Sequence, residues 1–399
     1  MKKLLLLGGS RYLLPVIRTA HKLGIYVITC DYLPNNIAHK YSDKYLNVSI
    51  IEKDKVLEAA KTESVDGIMS FACDPGVETM AYVCEKLGLP CAGSYKSVLT
   101  LQDKVLFRKF LQDNHFNVPY ARGFSTYNEW EKASHEFSFP VIVKPADSAG
   151  SKGVTRVDDK KQMKAAVDTA VSYSKTKRFI VEEFIEKQGD SSDCDCFSVD
   201  GKMVYVSFSN QKFDEIASNP YTPAGYTWPP EMSKSAQEYL ISELNRLCRL
   251  LDLKSSIYNI ETRIGVNGKP YIMEVSPRGG GNRLAEMMGY VSHEDLIEQA
   301  IHAAMGEPCR ITGMPQYEGY WYEYILHAEK SGTFEDVLID DKLHDNLIER
   351  DIWVKPGDSV HTFTGANETI GTLIFKFSDE EQMQDAVRNS MNWIRVKTR

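Results

Sequence analysis

The sequence predicts a mixed α/β and α+β fold in three parts: a doubly wound first domain over residues 1–100, a larger α+β domain over 101–310, and a strand-rich α+β domain over 311–399. Three observations carry this. Short apolar runs alternate with helix-patterned segments through the first hundred residues, a long hairpin pattern spans 256–283, and β-rich runs with one closing helix fill the end.

Residues 3–8 form an apolar strand, and Leu13 to Leu23 has helical spacing up to Gly24, a C′ stop. Tyr26 to Cys30 and Gly67 to Phe71 read as further strands, with helices over Val56 to Lys61 and Val77 to Leu87. Strands alternating with helices imply a parallel sheet with right-handed crossovers, hence a Rossmann-like domain. Gly8-Gly9-Ser10, Asp31 and Asp74 stand at strand ends, the edge where open sheets bind ligands, although turn chemistry also explains them. Asp31 follows the glycines at about the distance of a dinucleotide fingerprint. The G-x-G-x-x-G spacing is absent.

An amphipathic helix then runs from Lys104 through Leu111. On its own, Lys104 reads as a solvated helix lysine. Phe139 to Pro145 places Lys144 at the end of an apolar strand, where an unpaired ammonium is costly and an anion is wanted. The small-residue loop Asp147 to Val154 is either a hairpin turn or a set of backbone N–H groups turned toward phosphate. Phe179 to Ile185 is an acidic strand running into a connector, whose backbone edge offers both a donor and an acceptor. Asn219 to Pro230, with Tyr221, Tyr226 and Trp228, is a surface loop or the wall of a pocket. Beyond 311 come strands over Tyr317 to Ala328 and Thr372 to Phe377, then a helix over Asp379 to Trp393.

The hairpin is the most informative stretch. Asn267-Gly268 suits a two-residue type I′ turn, which sets Val266 against Lys269 and Glu261 opposite Glu274, with Cβ atoms roughly 4.5 to 5.5 Å apart. Asn259, Arg263, Ile272 and Ser276 share the acidic face, while Ile260, Thr262, Ile264, Tyr271, Met273 and Val275 point into a core. Opposed carboxylates need neutralising. A divalent cation such as Mg²⁺ does this, and so does an ion-pair ladder through Arg263.

Net charge is −8 and 43% of residues are hydrophobic, with no basic run to suggest a nucleic-acid partner. Met1-Lys2-Lys3 and Leu4 to Leu7 imitate a leader, but Gly8 ends the apolar run too early for one or for a membrane span. Eight scattered cysteines read as reduced thiols of a cytoplasmic protein. Cys194-x-Cys196 is the one close pair, with neither a second pair nor a nearby histidine to complete a zinc site. The histidines show no nucleophile or metal spacing.

Lys104, Lys144, the Ser148 to Gly153 loop, the VEEFI run at 181–185 and the IET…IMEVSPRGGG hairpin follow one another in the order and spacing of the ATP-grasp superfamily. The chain resembles its carboxylate–amine ligases, including amino-acid ligases and purine-synthesis enzymes, from GGSRYLLP near the start to IGTLIFKFSDEE near the end. The resemblance implies a pre-ATP-grasp domain, then an ATP-grasp domain of two α+β subdomains with a lid over about 125–183. It implies that Lys104 and Lys144 contact ATP phosphates, and that Ser148, Ser151, Lys152 and Gly153 close over them. Glu182, Glu183, Phe184 and Ile185 would recognise adenine and Asp190 the ribose. Glu261 and Glu274 would hold Mg²⁺ or Mn²⁺, with Ser276 standing where many relatives have asparagine. Lys144 and Arg278 would be catalytic, Arg278 steadying the transferred phosphoryl group; Arg263, Arg283 and Tyr226 are substrate candidates. Arg283 reads equally as an exposed helix arginine. The implied activity joins a carboxylate to an amine through an acyl phosphate, releasing ADP and phosphate. A non-catalytic ATP-binding regulator and a purine-type enzyme acting on a phosphoribosyl or bicarbonate substrate are the alternatives. Homodimers are common among such relatives, but the sequence does not fix the oligomeric state of this chain.

Overall fold

Leu4, Leu5, Leu6 and Leu7 are all 0% exposed, so the first strand must be covered on both faces, as a parallel sheet between helix layers is. It lies inside a four-stranded parallel sheet of order β3-β2-β1-β4, built from β1 (Lys3–Leu7), β2 (Tyr26–Cys30), β3 (Lys44–Leu46) and β4 (Gly67–Ser70). This computed structural model describes every residue except Ala149, Ser151 and Ser218. Leu5 and Leu7 feed a core with residues of α2 (Lys53–Glu63) and α3 (Asp74–Leu87). Leu4 and Leu6 face the opposite core, shared with α1 (Leu14–Lys22) and with distant residues from Leu284 to Met305. The first hundred residues therefore do not close their own core.

α4 (Tyr95–Gln102) and α5 (Lys104–Asp113) lead into an antiparallel sheet of order β5-β8-β6-β7. Its strands are β5 (Ala121–Phe124), β6 (Val141–Pro145), β7 (Thr155–Val157) and β8 (Phe179–Glu183), and α6 (Tyr127–Ala133) and α7 (Met163–Tyr173) join them around a separate core centred on Trp130. The segment expected to form a lid, about 125–183, falls within this unit.

The next six strands divide between two sheets. β9 (Ser192–Val199) and β10 (Lys202–Val206) join β13 (Ser256–Ile264) and β14 (Pro270–Ser276) in the order β10-β9-β13-β14, backed by α5 and α8 (Lys234–Leu250). The intervening β11 (Asn210–Phe213) and β12 (Pro223–Trp228) leave that sheet and pair with β15 (Tyr320–Leu326). The five-stranded sheet β11-β12-β15-β19-β17 is completed by β17 (Leu347–Ile352) and β19 (Gly371–Phe377). The proline- and aromatic-rich stretch thus contains a strand, with Tyr226 and Trp228 at 0% exposure, and its pairing crosses the boundary expected at 310/311. Proline occupies only the strand's first position and the residues beyond its end, where no ladder bond is lost. α9 (Leu284–Ser292) and α10 (Leu296–Ala304) return to the first core, and α11 (Glu380–Trp393) closes the chain beside a small sheet of β16 (Gly332–Ile339), β18 (Ser359–Val360) and β20 (Ile394–Thr398). Among the described residues no helix is long and apolar enough to cross a membrane.

The β13–β14 hairpin reaches the expected opposition by another route. Gly268 N–H donates to Gly265 C=O at 2.8 Å, Gly265 N–H donates to Lys269 C=O at 2.9 Å, and only Gly268 of the central pair has positive φ, at 73°. This is a three-residue loop ending on a left-handed glycine, not a two-residue type I′ turn, and Val266 does not face Lys269. Left uncorrected, that one-residue shift would set Glu261 against Met273. A β-bulge at Met273 restores the pairs Glu261↔Glu274, Ile260↔Val275 and Asn259↔Ser276. The bulge also turns Ile272, expected on the acidic face, into the core beside Ile260 and Val275 at 3% exposure. Replacing Gly268 by alanine places a Cβ in a left-handed conformation with open space around it. Urea unfolding of this variant is expected to show a loss of about 1 kcal/mol.

Candidate active site

The register of the third sheet assembles acid from three strands. Asp193 of β9 pairs with Glu261 of β13, which pairs with Glu274 of β14, and alongside runs the row Asp195, Asn259, Ser276. Directly opposed residues share a face. Asn259 Nδ2 donates to Asp193 Oδ1 at 2.7 Å and to Asp195 Oδ1 at 3.3 Å, while Gly280 N–H donates to both Asp195 oxygens at 2.8 and 3.0 Å. Burial, the Glu274 carboxylate and Asp193 together push Glu261 up to about 8. Burial raises Asp193 to about 6 and Asp195 to about 7, although Asn259 and the Gly280 N–H favour their charged forms. This face carries more acid than its own donors neutralise. Neither Asp193 nor Asp195 was singled out from the sequence, yet the alternation Asp193-Cys194-Asp195-Cys196 is a strand signal with acids on one face and thiols on the other. Both cysteines are buried and unpaired.

Basic groups meet this face along its β14 edge. Lys104, the first residue of α5, lies 3.8 Å from Glu274 and donates to the Ser148 carbonyl at 2.9 Å. Lys144, near the end of β6, donates to Glu182 of β8 at 2.9 Å; burial lowers its pKa, and Glu182 opposes that. Arg108 of α5 lies 3.1 Å from the same carboxylate and donates to the Met273 carbonyl at 2.8 Å. Burial alone would raise Glu182, but Arg108 and Lys144 outweigh it and hold the carboxyl at about 2. The bulge at Met273, which disrupts the ladder locally, therefore also supplies the acceptor that orients Arg108.

The turn after β14 docks onto the first domain. Arg278 Nε and Nη2 donate to the two oxygens of Asp74 at 2.8 and 2.7 Å, a bidentate pair, and Nη1 donates to the Gly279 carbonyl at 2.9 Å. The Ser276 hydroxyl donates to Asp74 at 3.0 Å and accepts from Gln102 at 2.8 Å, leaving one lone pair on its oxygen. Asp74, at the start of α3, is the strand-end acid that the sequence left between ligand site and turn.

The remaining expected residues divide. Ser151 lies outside the described residues. Gly153 has φ 71°, and a Cβ there would meet Tyr173 at 2.9 Å and Pro145 at 3.0 Å, so the loop needs its glycine; Lys152 is exposed. Glu183, Phe184 and Ile185 run from the end of β8 into the connector, and the Ile185 N–H has no backbone acceptor among the described residues. Asp190 is paired with Lys212 at 2.5 Å. Arg263 donates to the Ile185 carbonyl and the Ser191 hydroxyl, both at 3.1 Å, which makes it a brace for this connector. Arg283 is buried, at 2.7 Å from Glu349 and 3.1 Å from Glu286, not an exposed helix arginine. Tyr226 donates to Asp193 at 3.0 Å and so touches the acid row.

Because the folded-state value of Glu261 lies above its unfolded one, its contribution to stability is fully present below the ordinary carboxylate range and is lost as pH rises toward about 8. Thermal melts of the nucleotide-free protein between pH 5 and 8 are expected to show a falling midpoint. Glu261→Gln should flatten that slope, by at most about 1.4 kcal/mol per pH unit.

Residues 101–282 match the family described as ATP-grasp domain. The chain is 25% identical over 293 residues to the carbamoyl phosphate synthase large chain, C-terminal section, of Aquifex aeolicus; this covers 72% of the present chain and 53% of that protein. It thus spans about half the length of that relative. The crystal structure of L-amino acid ligase from Bacillus licheniformis matches with a TM-score of 0.83 at 20% identity, covering 100% of this chain and 99% of that one. Phosphoribosylglycinamide synthetase from Anaerococcus prevotii matches at 0.77 and 22% identity, covering 100% of both. The matched segment takes in the helix of Lys104, the β5-β8-β6-β7 sheet, the acid row and the Arg278 turn: residues 101–282 of this chain are an ATP-grasp domain.

Proposed function

We propose that the chain is an ATP-dependent, ADP-forming ligase that joins a carboxylate to an amine. The observation that carries this is the row Asp193, Glu261, Glu274, flanked on one side by Lys104 and followed by Arg278. A site that only held a nucleotide would have no use for three aligned carboxylates at the phosphate end.

In this reading the adenine lies against the Glu183 to Ile185 edge, with the Ile185 N–H as donor. Lys104 and Lys144 hold the phosphates under the Ser148 to Gly153 loop, and Asp190, released from Lys212, takes the ribose. Glu261 and Glu274 hold Mg²⁺, or Mn²⁺ in its place. Among the described residues no three His, Cys, Asp or Glu side chains form a complete metal cage. A two-carboxylate site completed by phosphate oxygens needs none, and it suits Mg²⁺. The fit rests on the donor set, two carboxylates directly opposed on one sheet face, the hard oxygen ligands such a cation takes. When bound, the metal neutralises charge between the outer phosphates.

A carboxylate resists attack by an amine because its leaving group would be oxide. A carboxylate oxygen therefore bonds to the γ-phosphorus of ATP as the bond to ADP breaks, giving an acyl phosphate. The amine nitrogen then bonds to the acyl carbon, phosphate departs, and the nitrogen loses a proton. Positioning and charge neutralisation dominate the first step. Arg278 is prepared for this, since three of its five N–H groups fix it to Asp74 and Gly279 and two remain for the transferred phosphoryl group. Lys144 and Arg278 bracket the phosphate path from the two subdomains.

A phosphate-release screen with ATP, Mg²⁺, amino acids and small carboxylates is expected to give substrate-dependent ADP; formation of AMP and pyrophosphate would refute the mechanism. Glu274→Gln should lower turnover about 10²-fold or more, in the range of other lost electrostatic groups, while the melting temperature changes little. Lys104→Ala should raise the KM for ATP without destabilising the fold. Lys144→Ala should do both, because it removes a partner of the buried Glu182.

A further inference from the structure

Lys104 and the Ser148 to Gly153 loop belong to different elements, so a joint grip on phosphates needs the stem of that loop held against the start of α5. We propose that Arg178, through its ion pair with Asp103, is a positioning residue that fixes the stem of the phosphate loop relative to Lys104; this rests on the ligase reading above.

Lys104 meets the stem twice. Its backbone N–H donates to the Ala146 carbonyl at 3.1 Å, and its ammonium donates to the Ser148 carbonyl at 2.9 Å. Behind the stem runs the turn 174–178, bonded to it along its length. Ala146 N–H donates to the Arg178 carbonyl at 3.1 Å, while the Asp147 carboxylate accepts from the Ser174 hydroxyl at 2.7 Å and from the Thr176 and Lys175 N–H groups at 2.8 and 3.2 Å. Arg178 N–H closes the turn on the Ser174 hydroxyl at 3.1 Å. Within it Lys177 holds φ 58°, a left-handed conformation that a β-carbon disfavours, so the bonds around this turn impose its shape. The Arg178 side chain then carries the assembly back to α5, where Nη1 donates to Asp103 Oδ2 at 3.0 Å.

Neither element needs this pair for itself. Asp103 caps α5 with its other oxygen, Oδ1, which accepts from Val105 N–H at 2.9 Å and Leu106 N–H at 3.1 Å. β8 is aligned from Phe179 onward by its ladders to β5 and β6. The Arg178 side chain is 34% exposed, and an ion pair that solvent reaches adds little to stability. What it adds here is a closed ring of Asp103, Lys104, Ala146 and Arg178. Asp103 and Lys104 are adjacent in the chain, and backbone bonds join Lys104 to Ala146 and Ala146 to Arg178. The stem cannot slide along α5 without breaking that ring. Asp103 also sets a negative charge beside a phosphate-binding lysine, which opposes phosphate binding unless the charge is spent holding something else, and Arg178 is what it holds.

The test measures binding of MgADP and of adenosine, which has no phosphate, to wild type, Arg178→Met, Arg178→Lys and Asp103→Asn, with a melting temperature for each free protein. Arg178→Met is expected to bind MgADP at least fivefold more weakly and adenosine as wild type does, with a melting temperature within about 3 °C of wild type. Arg178→Lys should recover most of the loss, because a single hydrogen bond has to be kept. Asp103→Asn separates position from charge. Its one amide oxygen can cap α5 or accept from Arg178 but not both, and a negative charge beside Lys104 is gone. Charge alone would tighten MgADP binding in this variant, whereas a lost brace weakens it. Unchanged MgADP affinity or a larger drop in melting temperature in Arg178→Met, an equal loss for MgADP and adenosine, no recovery in Arg178→Lys, or unchanged or tighter MgADP binding by Asp103→Asn would each overturn the proposal while leaving the ligase reading intact. Failure of wild type to bind MgADP would overturn the ligase reading and this inference with it.

Discussion

Two glutamates on neighbouring strands are held face to face, with an aspartate on a third strand in line behind them. That arrangement is unfavourable by itself, since like charges directly opposite destabilise a sheet. The fold tolerates it because the acid stands where cations converge. Lys104 approaches from α5, and Arg278 enters from the turn beyond β14. Glu261 adapts by holding its proton toward neutral pH, so the face stores an electrostatic deficit that a metal-bound triphosphate would relieve. The geometry is specified by two irregularities that cancel, a three-residue loop and a one-residue bulge.

The same bulge ties the hairpin to the β5-β8-β6-β7 sheet. Met273 C=O holds Arg108, Arg108 pairs with Glu182, and Glu182 pairs with Lys144. A strand irregularity thus becomes the first link in a chain of contacts ending at Lys144. A second chain ties the hairpin to the first domain through Asp74, Arg278 and Ser276. With α10 completing the core beneath β1 and β4, the first hundred residues and the ATP-grasp domain share both a hydrophobic core and a buried ion pair. Rearrangement at one is felt at the other, because neither core nor ion pair can be half-kept.

Towards the C-terminus the sheet containing β12 and β15 makes the far wall of the site. Tyr226 joins it to the acid row, and Arg283 is gripped there by Glu286, Glu349 and Thr372. Chain from the middle of the sequence supplies two strands to this sheet, so the wall and the acid row are parts of one covalent weave.

The sequence by itself determined the strand–helix alternation of the first domain, the lysine at the end of the apolar β6 strand and the opposition of Glu261 to Glu274. Each is written in local chemistry: periodicity, a lysine at an apolar strand's end, a glycine turn between β-rich runs. It placed Ile272 on the wrong face because a bulge leaves no mark in a period-two pattern, and it left β12 undecided because prolines mask its alternation. Only the tertiary structure decided that Asp193 extends the acid row, that Asp74 clamps Arg278 and that Arg108 orients Glu182. These are relations between residues far apart in the chain, fixed by which strands become neighbours, and side-chain spacing along one segment carries no record of them.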